Sequence, residues 1–244
     1  MNECNFSYQH YAESLLNIKK THIFSDYKDR SNHHDVILRH DVDVSLPAAF
    51  EIAKIEYDLG IKSTFFILFH AELYNPFNSN STNYVKKIVE LGHHIGLHYN
   101  SSFIVNNNLN PSETIRKEIN IMKQHYNTPI QVVSPHDPGI SKKISLTLPV
   151  GVVNAMSDEY FISRKYLSDS VRNWREGCFC TNYHKYDKLQ ILTHPIWWTT
   201  DNKNRDEVMR SLVNTDLNIY EQEVRFLSEK YSEYIGNLRH KRNM

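Results

Sequence analysis

Residues 93–99 read HHIGLHY, and whether they form a helix or a strand decides both the fold and the chemistry. On a helix, His94 and His98 stand one turn apart and can share a metal ion. The intervening Ile95, Gly96 and Leu97 read instead as a strand. On a strand, His94, Gly96 and His98 share one face, and His93, Ile95, Leu97 and Tyr99 share the other. His94 and His98 are then roughly 13 Å apart, at about 3.3 Å per residue. Zn–N bonds are about 2.0–2.1 Å long, so a strand excludes them as joint ligands. His98, at the strand's C-terminal end, is the better ligand. His94 is expected to lie deeper and to be structural.

Outward from this strand the chain alternates. VILRHDVD (36–43) begins as a buried strand and ends polar, and KSTFFILF (62–69) is β-branched and aromatic. IQVVS (130–134), GVVNA (151–155) and KLQILTH (188–194) give three more short strands. Helical patterns fall at 8–20, at 48–60 behind Pro47, at 83–91 and at 111–126. Residues 101–110 read as an irregular excursion, and 204–235 as one long helix or two. Alternation of strand and helix argues for an α/β fold with a mainly parallel sheet, open or closed into a barrel. There is no internal repeat or low-complexity linker, so residues 1–244 are read as one domain. The N-terminal helix (8–20) and the C-terminal segment (204–235) are expected to pack on it.

Composition removes several classes. The 28 Lys+Arg balance 28 Asp+Glu, so no global field gathers nucleic acid or anionic lipid. No stretch reaches the roughly 18 apolar residues of a membrane span. The N-terminus lacks a basic region followed by an apolar core, and the expectation is a cytoplasmic protein. Cys4, Cys178 and Cys180 are an odd number without framework spacing and read as reduced thiols. A zinc site on Cys178 and Cys180 would lack a second CxxC-type pair.

The 14 histidines are not scattered evenly. His40, His98, His136 and His194 fall at the C-terminal ends of strands, where loops converge in such folds. In RHDVD (39–43), Asp41 and Asp43 point the same way on an extended chain and can diverge where it bends. One can then ligate a metal while the other acts as a base. The rival reading is an aspartate turn, with Asp43 or Ser45 capping the helix near Pro47. His136 lies between two prolines in SPHDP (134–138), as an aimed ligand or as an exposed turn residue. His194, in ILTHPIWW (191–198), can be a general acid. Trp197 and Trp198 behind it are either core or a sugar-stacking wall. In SDSVRNWREG (168–177), Asp169 can orient His194 through its second ring nitrogen, and an arginine such as Arg175 can hold Asp41 ionised. The rival there is a surface salt-bridge loop.

Taken in order, these motifs resemble those of the polysaccharide deacetylases, the NodB-homology family of carbohydrate esterases, over about residues 35–198. The chain is similar to a divergent branch associated with bacterial surface-polysaccharide clusters. The resemblance implies a distorted parallel β/α barrel of about seven strands, a divalent metal (zinc in most members), and removal of N- or O-acyl groups from sugars. RHDVD matches the first motif, which implies Asp41 as base and Asp43 as ligand. GHHIGLHYNSS (92–102) matches the second and implies His98 as ligand, but the family's next histidine falls on Ser102. His136 is expected to supply the missing nitrogen. SDSVRNW resembles the fourth motif. ILTH resembles the fifth, which implies His194 as acid. Asp169 or Arg175 is expected to tune either Asp41 or His194.

Tyr99, Trp174, Trp197 and Trp198 are expected to contact substrate. The expected substrate is an acylated sugar, or a nucleotide- or lipid-linked precursor. Rival functions are a metal-free hydrolase of a small cyclic amide or ureide, and a non-catalytic carbohydrate-binding domain.

Overall fold

The computed structural model describes residues 4–28 and 34–242. The chain divides into two compact units, residues 1–202 and 203–244. In the first unit the strands are β1 (Ile23–Ser25), β2 (Asp35–Val42), β3 (Thr64–Leu68), β4 (His94–Tyr99), β5 (Val132–Pro135), β6 (Val153–Asn154), β7 (Lys165–Ser168) and β8 (Lys188–Thr193). Among the described residues every strand pairing is parallel. Seven strands run in the order β6-β5-β4-β3-β2-β8-β7, and β1 pairs with β2 beside this path. Helices α1 (Tyr8–Lys19), α2 (Leu46–Asp58), α3 (Ser79–Glu90), α4 (Ser101–Asn106), α5 (Pro111–Tyr126), α6 (Pro138–Ser141), α7 (Asp158–Phe161) and α8 (Phe179–Asn182) connect them. The result is a distorted parallel β/α barrel.

The second unit holds α9 (Arg205–Arg242), one helix of 38 residues. Asn204 and Glu207 open it reciprocally: Asn204 N–H donates to Glu207 (2.7 Å), and Glu207 N–H donates to Asn204 Oδ1 (3.0 Å). Among the described residues no helix is long and apolar enough to cross a membrane.

Strand periodicity explains which side chains reach the site. On β2, Val36, Leu38 and Val42 face the helices and join the main core, while Ile37 faces the barrel interior. There Ile37 packs with Tyr27, Phe66, Val132, Ala155 and Tyr160 in a second, smaller core. Arg39 and Asp41 follow Ile37 at two-residue steps and face the same way. His40 faces outward instead. Its Nε2 lies 2.8 Å from Glu56 of α2, and both side chains are fully buried. Tyr11, Ser63 and His93 complete this polar cluster around Glu56.

Two local choices free the site. Ser45 caps α2, its hydroxyl accepting from Ala48 N–H at 3.2 Å, so Asp43 is spared that role. At Gly96 a Cβ would meet the Phe66 ring at 2.6 Å. Glycine there leaves room for the ring, and the Arg39 guanidinium sits over it, 4.3 Å from the centroid.

Three expectations are corrected. Residues 101–110 are not wholly irregular: α4 forms there, capped by Asn100, whose side chain accepts from Phe103 N–H. Strands β1 and β7 were not foreseen, being short and lacking a strong apolar run. His94 is not deep. It begins β4 at the end away from the site, half exposed, 3.5 Å from Asp26.

Candidate metal centre and active site

Asp43 lies one residue beyond β2, where the chain turns toward Ser45. Its Oδ1 is 3.3 Å from His98 Nε2 and 3.4 Å from His136 Nδ1. One ligand atom from each of the three residues lies within 4.8 Å of the others. His98 Nδ1 donates to the Ser134 carbonyl at 2.9 Å. A carbonyl only accepts, so Nδ1 carries a proton and Nε2 is the free ligand atom. Asp43 Oδ1 and His136 Nδ1 are buried yet make no well-aligned hydrogen bond among the described residues.

A divalent cation fits these observations. Tetrahedral bonds of about 2.0–2.1 Å put neighbouring ligand atoms about 3.3–3.4 Å apart. The cation would satisfy both orphaned atoms. One carboxylate and two imidazoles are a donor set suited to zinc, and three ligands leave a position open. Burial pushes the Asp43 carboxyl up, but His136 and His98 beside it more than offset this, holding it well below the usual carboxylate range. His136 is raised, chiefly by Asp43.

The loop after β5 aims His136. Its N–H donates to the Tyr99 carbonyl at 2.9 Å. Ser102 on α4 donates to Asp137 Oδ2 at 2.5 Å. Ser102 thus ties α4 to the residue that follows His136.

Asp41 is buried, its Oδ2 3.5 Å from His98 Nε2. Its Oδ1 meets Arg39 Nη2 at 2.5 Å, and the same nitrogen donates to Ser134 Oγ. Burial alone would raise the Asp41 carboxyl, but Arg39, then His98 and His194, bring it below the ordinary value. The arginine that holds Asp41 is therefore Arg39, not Arg175, which is exposed. The i, i+2 spacing on an inward-facing strand was the available signal.

His194 follows β8. Its Nδ1 lies 2.7 Å from Asp169 Oδ1, and its N–H donates to both carboxylate oxygens, at 2.9 and 3.1 Å. Asp169 also accepts from Trp198 Nε1 at 3.0 Å. His194 Nε2 points inward, 3.7 Å from Asp43 Oδ2. Burial lowers the imidazole, but Asp169 raises it more, to about 9. Burial pushes the Asp169 carboxyl up, while His194 and Trp198 pull it down. Beyond Asp169 the chain turns through left-handed Val171 and Arg172, at φ 59° and 58°.

The expected substrate residues divide. Trp198 is 1% exposed and Tyr99 2% exposed, so neither can form a sugar wall. Trp198 is a core residue that supports Asp169, and Tyr99 contributes its carbonyl to the His136 loop. Trp197 and Trp174 are half-buried. The Trp174 ring lies against Phe6 and Phe179, with centroids 6.4 and 5.3 Å away.

No family model matches the sequence, and no curated relative matches it. Solved structures do match. One is a mutant, with restored enzymatic activity, of a CE4-family pseudoenzyme from Bacillus anthracis: 14% identical, TM-score 0.45, 76% of this chain and 64% of that one. Another is a family 4 acetyl xylan esterase from Clostridium thermocellum in complex with a cobalt ion: 14% identical, TM-score 0.39, 75% of this chain and 83% of that one. A third is the chitin deacetylase of the fungal pathogen Colletotrichum lindemuthianum: 13% identical, TM-score 0.39, 80% of this chain and 84% of that one. The chain spans less than two thirds of the length of the first of these. This chain is thus similar in fold to a CE4-family pseudoenzyme, a family 4 acetyl xylan esterase and a chitin deacetylase.

Proposed function

We propose that this protein is a divalent-metal-dependent hydrolase that removes an N- or O-acyl group, acetyl by preference, from a sugar. One observation carries the reading: Asp43, His98 and His136 converge on one point with two buried polar atoms left unsatisfied, between Asp41 and His194. Asp43, His98 and His136 would hold a divalent cation of the zinc type, which when bound would supply polarisation of the acyl oxygen and acidification of water. Asp41 takes the proton of the attacking water, and Arg39 keeps its carboxylate ionised and fixed. Asp169 holds His194 Nδ1–H, so Nε2 delivers a proton to the departing amine or alcohol oxygen. Asp43, His136 and His194 are partly exposed, which suits an acyl group presented on a larger sugar such as a nucleotide- or lipid-linked precursor.

The test is acetate release from N- and O-acetylated sugars by the zinc-loaded protein. Asp41→Asn should lower the rate by about 10²-fold or more while metal content stays unchanged. Release that survives both this substitution and exhaustive chelation would overturn the proposal.

A further inference from the structure

A second cluster lies away from this site. Cys4, His10, Cys178 and Cys180 each present one ligand atom, all within 4.8 Å of one another. Cys4 precedes α1, and His10 lies in its first turn. Cys178 is the residue before α8, and Cys180 lies within it. His10 Nε2 is 3.6 Å from Cys4 Sγ and 3.6 Å from Cys178 Sγ, and Cys180 Sγ is 3.8 Å from Cys4 Sγ.

These lengths have a simple source. With Zn–S of about 2.3 Å and Zn–N of about 2.0–2.1 Å, tetrahedral coordination puts S and N about 3.5–3.6 Å apart and two sulfurs about 3.8 Å apart. A Cys4–Cys180 disulfide would need about 2.05 Å between the sulfurs. His10 and Cys178 are buried, and three soft sulfurs around one imidazole form a closed four-donor set. The Asp43 cluster offers three donors and an open position, whereas this one offers four and none. The first suits reaction, the second structure.

We propose that Cys4, His10, Cys178 and Cys180 bind a structural zinc ion. Binding displaces up to three thiol protons to solvent and leaves three thiolates and a neutral imidazole on the ion. The ion ties the N-terminal segment and α1 to the α8 loop. It also stands behind the active site: the His10 ring stacks on Trp198 (centroids 6.4 Å apart, interplanar angle 12°), and Trp198 donates to Asp169, which holds His194. The proposal does not depend on the hydrolase reading, since its ligands and its test are separate.

All three cysteines of the chain lie in this cluster, so any thiolate–metal signal reports it alone. Full-length protein is loaded with cobalt(II) under reducing conditions and its absorption recorded. A thiolate-to-cobalt charge-transfer band is expected in the wild type and should persist in Asp43→Ala. Cys178→Ser/Cys180→Ser should lose the band and one equivalent of metal. Should the double variant fail to fold, the wild type still decides. With zinc bound, its three thiols should react with a thiol reagent at least tenfold more slowly than after chelation. Absence of the band in the wild type, thiol reactivity indifferent to zinc, or recovery of a Cys4–Cys180 disulfide from the reduced, zinc-replete protein would overturn the proposal.

Discussion

Ser102 Oγ donates to Asp137 Oδ2 at 2.5 Å, one residue beyond His136. The bond joins α4 to the loop after β5 and limits where the imidazole of His136 can lie. Support of this kind behind a metal ligand is commonly worth 10- to 100-fold in affinity. Ser102→Ala should therefore weaken zinc binding at the Asp43 site by about that factor. Competition with a chromophoric chelator measures it. His136→Ala should weaken it about as much as His98→Ala. If Ser102→His instead creates tight zinc binding in a protein that lacked it, His136 is not the third ligand.

Asp169 receives His194 Nδ1–H, His194 N–H and Trp198 Nε1–H. Asp169→Asn would present an amide N–H to the ring and favour the wrong tautomer. The rate of acyl release should fall by about 10²- to 10⁴-fold, with KM and zinc content little changed. An unchanged pH profile and rate would show that His194 needs no such partner.

Arg39 and Asp41 are both almost wholly buried. Removing one partner strands the other charge. Arg39→Met should cost about 3–5 kcal/mol in urea unfolding. Arg39→Met/Asp41→Asn should cost clearly less than the sum of the single changes. Additive losses would mean that the pair is not coupled.

The buried cluster around Glu56 predicts acid sensitivity. His93 Nδ1 accepts from Ser63 N–H at 3.2 Å, and its Nε2–H donates to the Ala53 carbonyl at 3.0 Å. Facing it are Glu56 of α2 and His40 of β2. Burial lowers His93 below its ordinary 6.5, against the pull of Glu56. Burial raises Glu56, but His40 and His93 bring it below its ordinary 4.5. Both groups bind protons more readily in the unfolded chain, so both destabilise the fold as pH drops. Tm should decline from about pH 6.5 downward through His93 and further below about pH 4.5 through Glu56. His93→Gln should flatten the first part of this decline. An identical slope in wild type and variant between pH 7 and 5 would remove His93 as its cause.

Val171 is β-branched, exposed and left-handed at φ 59°. Such strain is of the order of 1–3 kcal/mol. Val171→Gly should raise stability by up to about 1 kcal/mol, the rest being offset by added freedom in the unfolded chain. A lower Tm would indicate that the valine side chain makes contacts the loop requires.

The alternation of apolar strands and amphipathic helices made the parallel α/β fold legible, because two-residue and 3.6-residue periods are local properties of the chain. The short edge elements β1 and β7 were not, since neither carries enough apolar residues to form a pattern. Strand geometry alone also separated His98 from His94 as a ligand candidate, although it misjudged how far His94 is exposed. Tertiary structure decided the rest. Whether Asp43 or Ser45 caps α2, whether Arg39 or Arg175 meets Asp41, and whether Trp198 is wall or core all depend on which faces come together across the sheet. The Cys4–His10–Cys178–Cys180 cluster is the clearest case. Its members are up to 176 positions apart, and no spacing rule joins them. Only the packing of α1 against α8 brings their donor atoms to tetrahedral distances, because convergence of that kind is a property of the folded chain and not of any segment within it.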